Sequence, residues 1–135
     1  MVSININRDY LIKMFIAEAG ASRGKVSASK IVFYTSDKNT QNIYLQVDQD
    51  VSDIEVELVY SAGLVENRVP GVKLDDKLVE FNLDYRTLLA GRYKAAIMLT
   101  KGTEVLTSEV FTFTVENGLL DELLGGDDVG QPKRL

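Results

Sequence analysis

The chain has 135 residues, 45% of them apolar and 26% charged, with a formal net charge of −5 and no Cys, His or Trp. A globular chain of this length hides roughly two-thirds of its unfolded surface, so a single domain can build a core without staples. Lacking Cys and His, it has no disulfide framework, no cysteine zinc site, no Ser-His-Asp or Cys-His catalytic machinery and no imidazole proton shuttle.

The first 30 residues are basic, with Arg8, Lys13, Arg23, Lys25 and Lys30 against Asp9 and Glu18. Residues 31–115 and 116–135 are both acidic. An acidic body argues against a groove for a phosphate backbone, so no nucleic-acid partner is expected. No apolar run approaches the roughly 20 residues that cross a bilayer, and Lys13 and Glu18 interrupt the segment a secretory signal would need, so no membrane insertion is expected. VSINI at 2–6 alternates like a short strand. The following RDYLIKMFIAEAG admits two readings. A helix places Leu11, Phe15, Ile16 and Ala19 along one side; a strand places Tyr10, Ile12, Met14 and Ile16 together. The Ala-Glu-Ala-Gly ending favours the helix. ASRGKVSAS then reads as a flexible connection.

From about Ile31 the dominant signal is period two, the pattern of half-buried strands. Ile43, Leu45 and Val47 share one face, as do Ile54, Val56, Leu58 and Tyr60, then Val79, Phe81 and Leu83. A longer strand alternates Tyr93, Ala95, Ile97 and Leu99, and a turn at 101–104 folds it into a partner ending Phe111, Phe113, Val115. Glu109 falls on the parity of Phe111. Either a bulge shifts the register near Ser108 or the first half of that strand frays beyond the core. Asp84-Tyr85-Arg86 reads as the cap and first turn of a short helix. ENGLLDELL can form two helical turns, and GGDDVGQPKRL reads as a disordered tail.

Short strands with turns between them predict a mainly β chain, an immunoglobulin-like antiparallel β-sandwich at 31–116. An N-terminal arm at 1–30, with a possible helix, precedes it, and a short helix with a tail follows at 117–135. Gly91 and Tyr93 carry a structural role in this reading. Their G-x-Y string resembles the tyrosine corner, in which the hydroxyl reaches back to the backbone just upstream, with Ala95 where an antibody domain has its second Cys. The alternative makes Tyr93 a large inward residue beside a turn.

Candidate chemistry is sparse. Asp48, Asp50 and Asp53 in DQDVSD invite a calcium reading, but the turn Gly and distant Glu of an EF-hand are missing, so a solvated loop is expected. Paired carboxylates for glycoside hydrolysis have no sugar-stacking Trp beside them, and the glycines form neither a P-loop nor a dinucleotide fingerprint. No catalytic residue, metal or cofactor is expected. The apolar strip at 11–16 either covers the open edge of its own domain or docks on an acidic neighbour, another copy included. The docking reading makes Arg8, Leu11, Lys13, Phe15, Arg23 and Lys25 the candidate subunit-interface residues.

Taken in order, FYTSDKNTQNIYLQV, VELVYSAG and EFNLDYRTLLAGRYKAAIMLTKGTEVLTSEVFTFTVENGLLDE resemble the amino-terminal domain of phage baseplate upper proteins. The carrying features are a turn at Asp37 to Thr40, the G-x-Y-x-A strand at Gly91 to Ala95 and a last strand at Ser108 to Val115, over roughly residues 31–122. The resemblance implies an immunoglobulin-like virion component at the tip of a phage or prophage-derived tail, assembled in the bacterial cytoplasm. Its partners would be other baseplate or tail subunits, a homo-oligomer among them, and receptor-binding proteins; no catalytic residue carries over. Competing readings are a carbohydrate or cell-surface receptor-binding module using Tyr34, Tyr44, Tyr60 or Tyr85, and a tail assembly chaperone or regulator.

Overall fold

A computed structural model of the chain describes residues 10–16, 24–28, 30–37 and 41–118. Eleven strands follow in order: β1 (Leu11–Phe15), β2 (Lys25–Ala28), β3 (Val32–Tyr34), β4 (Asn42–Val47), β5 (Glu55–Ala62), β6 (Val65–Pro70), β7 (Val72–Lys73), β8 (Leu78–Asn82), β9 (Gly91–Lys101), β10 (Glu104–Thr107) and β11 (Phe111–Glu116). They make two mixed sheets. The first runs β2-β1-β4-β8-β7; the second runs β3-β11-β9-β5-β6, with β10 also paired to β9. Most neighbours are antiparallel, but β1 runs parallel to β4 and β3 parallel to β11.

The alternating residues of the sequence meet between these sheets. Ile43, Leu45, Val79 and Phe81 of the first sheet and Leu58, Ile97 and Phe113 of the second are buried in one cluster. Period-two strands bury one face and wet the other, so two such faces stacked together give a sandwich-like core. Tyr93 and Phe113 stack at 4.9 Å between ring centres, and Tyr60 and Phe33 pack edge-on to Phe113. The Tyr93 hydroxyl donates to the Leu89 carbonyl at 2.8 Å, the upstream bond that the G-x-Y string predicts.

Residues 11–15 are a strand, which corrects the helical preference for this segment. On a helix Ile12 and Met14 would point to different sides. As a strand both reach the core with no exposed surface, while Lys13 faces water. Tyr10 extends the tie: its hydroxyl donates to the Val32 carbonyl of the other sheet, and its ring packs edge-on to Phe33 at 5.2 Å. Tyr10, Ile12 and Met14 therefore help complete their own domain, while Leu11, Lys13 and Phe15 on the alternate parity face outward.

Turn chemistry sets the hairpins. Gly63 and Gly102, at φ of +82° and +61°, occupy the tight β5–β6 and β9–β10 turns, where a side chain would be strained. The bulge is present near Ser108. Thr107 pairs with Met98 but Phe111 with Ala95, so three residues on one strand face two on the other. Ser108 pins it: its hydroxyl oxygen accepts from the Ile97 N–H at 2.8 Å and donates to the Glu109 carbonyl at 2.8 Å. The bulge also takes a bridge from Gly24, so the lead into β2 touches the second sheet while β2 itself belongs to the first. The expected helix start at Asp84 is a 3-10 turn, Tyr85–Thr87. The strand expected at 2–6 lies outside the described residues, as do residues 119–135, which hold most of the expected C-terminal helix and tail.

Candidate functional site

The acidic loop does not converge on a cation. Asp48 Oδ1 accepts from the Ile16 N–H at 2.8 Å, Asp50 Oδ1 from the Ser52 N–H at 2.8 Å, and Asp53 pairs with Lys101 Nζ at 3.1 Å. The Ser52 backbone and then its hydroxyl hold the Asp50 carboxyl below its ordinary range, which describes a closed turn. Among the described residues, no three acidic groups gather as metal ligands. Asp84 is likewise engaged locally, accepting from the Arg86 backbone N–H at 3.0 Å and from its guanidinium at 2.9–3.0 Å.

The candidate interface residues fall on the outer face of the first sheet. Because β1 alternates, Ile12 and Met14 point inward, while Leu11, Lys13 and Phe15 point outward. Register then gathers their neighbours. Leu11 lies beside Tyr44, which lies beside Glu80, which lies beside Val72; Lys13 lies between Ser27 and Gln46, and Phe15 opposite Lys25. Leu11, Phe15, Tyr44 and Leu78 are half-buried there, Val72 is 51% exposed, and Lys13 and Lys25 are exposed. A hollow of about 360 Å³ opens on this face between Leu11, Gln46 and Leu78, with Asp75, Asp76 and Lys77 on its rim. Lys13 and Lys25 lie toward one side of the face, a mixed-charge group of Asp75, Asp76 and Lys77 lies at the other, and apolar surface lies between them. Arg8 and Arg23, the remaining candidates, lie outside the described residues.

A second opening, about 620 Å³, separates β2 from β11 and carries Lys30, Arg92 and Glu109. Glu109 accepts from the Val26 N–H at 3.2 Å, so its carboxylate closes an edge of β2. Neither opening joins a nucleophile to a base. Of the tyrosines proposed for glycan stacking, Tyr34 is 43% exposed, Tyr44 is half-buried and Tyr60 is only 3% exposed. Tyr60 is thereby removed from any surface patch. Sequence patterning offered the strand at 11–15 only as the alternative to a helix, and could not show that β4, β8 and β7 would carry Tyr44, Leu78, Glu80 and Val72 onto the same face.

No protein-family model and no curated protein matches the chain. A solved structure to which it is similar is a candidate glycoside hydrolase from Bacteroides vulgatus, at 17% identity and a TM-score of 0.47. That match covers 67% of this chain and 17% of the other, so the chain spans less than a fifth of that protein's length.

Proposed function

We propose that the chain is a non-enzymatic structural component of a phage or prophage tail baseplate, an immunoglobulin-like domain that joins subunits and holds receptor-binding proteins. The observation that carries this reading is the agreement between the ordered sequence series and the sheets. The quoted strings fall in order on β4, β5, β8, β9 and β11, and β3 runs parallel to β11, as the first strand of an immunoglobulin-like domain does where it crosses to the second sheet. The Tyr93–Leu89 bond adds to it, since a tyrosine corner belongs to the same family of sandwiches.

The outer face of the first sheet supplies the contact. Leu11 and Phe15 offer apolar area, and Lys13 and Lys25 set orientation against an acidic neighbour. Purified tail particles from cells carrying the gene should contain this chain in fixed proportion to other baseplate proteins when digested and analysed by mass spectrometry. Its absence from intact particles, with the free chain left in the cytoplasm, would refute the virion role and favour an assembly chaperone.

A further inference from the structure

We propose that the free edge of β6 pairs with the same edge of a second copy, joining two six-stranded sheets into one of twelve across a two-fold axis. The argument uses register and charge alone and stands independently of the baseplate reading. The β5–β6 hairpin has a two-residue turn, Gly63 and Leu64, so Ala62 and Val65 form its closing hydrogen-bonded pair. Antiparallel alternation then sends the backbone groups of Val65, Asn67 and Val69 toward β5. Those of Glu66 and Arg68 point away from it, and among the described residues no partner strand covers them. At six residues, β6 is the longest described strand at the outer end of either sheet. Such an edge is a template for another strand.

The sequence of this edge is complementary to itself. Centring the two-fold on Asn67 sets Glu66 opposite Arg68 of the second copy, and Arg68 opposite its Glu66. Both are hydrogen-bonded pairs, and both place opposite charges across from each other. Val65, which is 67% exposed, comes opposite Val69 of the second copy on the other face. Pro70, which has no N–H, falls opposite the turn residue Leu64, beyond the ladder. Shifting the centre to Arg68 would oppose two guanidinium groups and set Pro70 where a donor is required, so the charges and the proline select one register.

The local field suits this pairing. Arg68 already contacts Glu66 at 2.9 Å and Glu57 at 3.5 Å, and Lys94 shares a hollow with Glu66 on that face. The four charges balance, so a second copy meets no net repulsion there. All three ion-paired side chains remain between one-third and 55% exposed, accessible to a partner.

A charge-swap series read by sedimentation equilibrium tests the pairing. The wild-type chain should approach twice its 15.0 kDa mass as concentration rises. Glu66→Arg alone and Arg68→Glu alone should sediment as monomers over the same range, because each opposes like charges twice. The double variant Glu66→Arg with Arg68→Glu should recover the dimer, which also shows that the exchanged residues are compatible with folding. A wild-type chain that stays monomeric up to its solubility limit would overturn the proposal, as would single variants that dimerise as wild type does. Reversing Lys13 and Lys25 should leave this dimer intact, which separates it from the contact proposed on the first sheet.

Discussion

Tyr93 concentrates the residue-scale logic of the fold. Its ring fills the core against Phe113 and Tyr60, and its hydroxyl satisfies the Leu89 carbonyl ahead of β9. Tyr93→Phe keeps the ring and strands that carbonyl, so chemical denaturation should show a loss of about 1–2 kcal/mol. Burial, and next the neighbouring Tyr60, push the Tyr93 hydroxyl above its ordinary 10.0, with the Leu89 bond pulling the other way. Because the folded value is the higher one, this group leaves stability intact below pH 10 and erodes it as pH rises through the folded value. The wild-type melting temperature should therefore fall faster above pH 10 than that of Tyr93→Phe, and parallel curves would contradict the assignment. Gly71 makes a different demand. A Cβ there would lie 2.4 Å from Val79 Cγ1 and 3.1 Å from the Val56 carbonyl oxygen, so Gly71→Ala should destabilise by about 1–3 kcal/mol through overpacking.

Among the elements, β1 changes the picture most. It lies between β2 and β4, in the interior of its sheet, and contributes Ile12 and Met14 to the core. Ile12→Ala should cost about 2–5 kcal/mol by urea denaturation, the range for a cavity in a packed core; a cost near zero would mean that the segment only rests on the surface. Deleting residues 1–25 should abolish cooperative unfolding, since it leaves β4 unpaired along one edge. The interior of the fold was legible in the sequence where alternation was strong. Val79, Phe81, Ile97 and Phe113 all face the core as their parity predicts, and Glu109 betrayed the bulge by standing on the wrong parity. The edge strand β6 was not legible, because its inward parity includes the polar Asn67 and, at Val65, an apolar residue that is 67% exposed. Nor was the place of β1. Periodicity reports which face a residue takes, whereas strand neighbours depend on contacts distant in sequence, such as Lys13 beside Gln46.

At the scale of the whole molecule, two surfaces are proposed for assembly. The β6 edge is complementary to itself and suits a second copy. The outer face of the first sheet, with Lys13 and Lys25 exposed beside the apolar Leu11 and Phe15, is the surface proposed for an acidic neighbour. Leu11, Lys13 and Phe15 share the outward parity of β1, a grouping that the helical preference for this segment hid. Their partners from β4 and β8 were not legible, for the same reason that the place of β1 was hidden. Incorporation into tail particles of wild type and of the Lys13→Glu, Lys25→Glu variant, each supplied in place of the native chain, tests the central claim most directly. The wild-type chain should be recovered in purified particles, and the charge-reversed chain, equally folded in the lysate, should fall at least about tenfold below it. Absence of the wild-type chain from particles, or equal incorporation of both, would contradict the account.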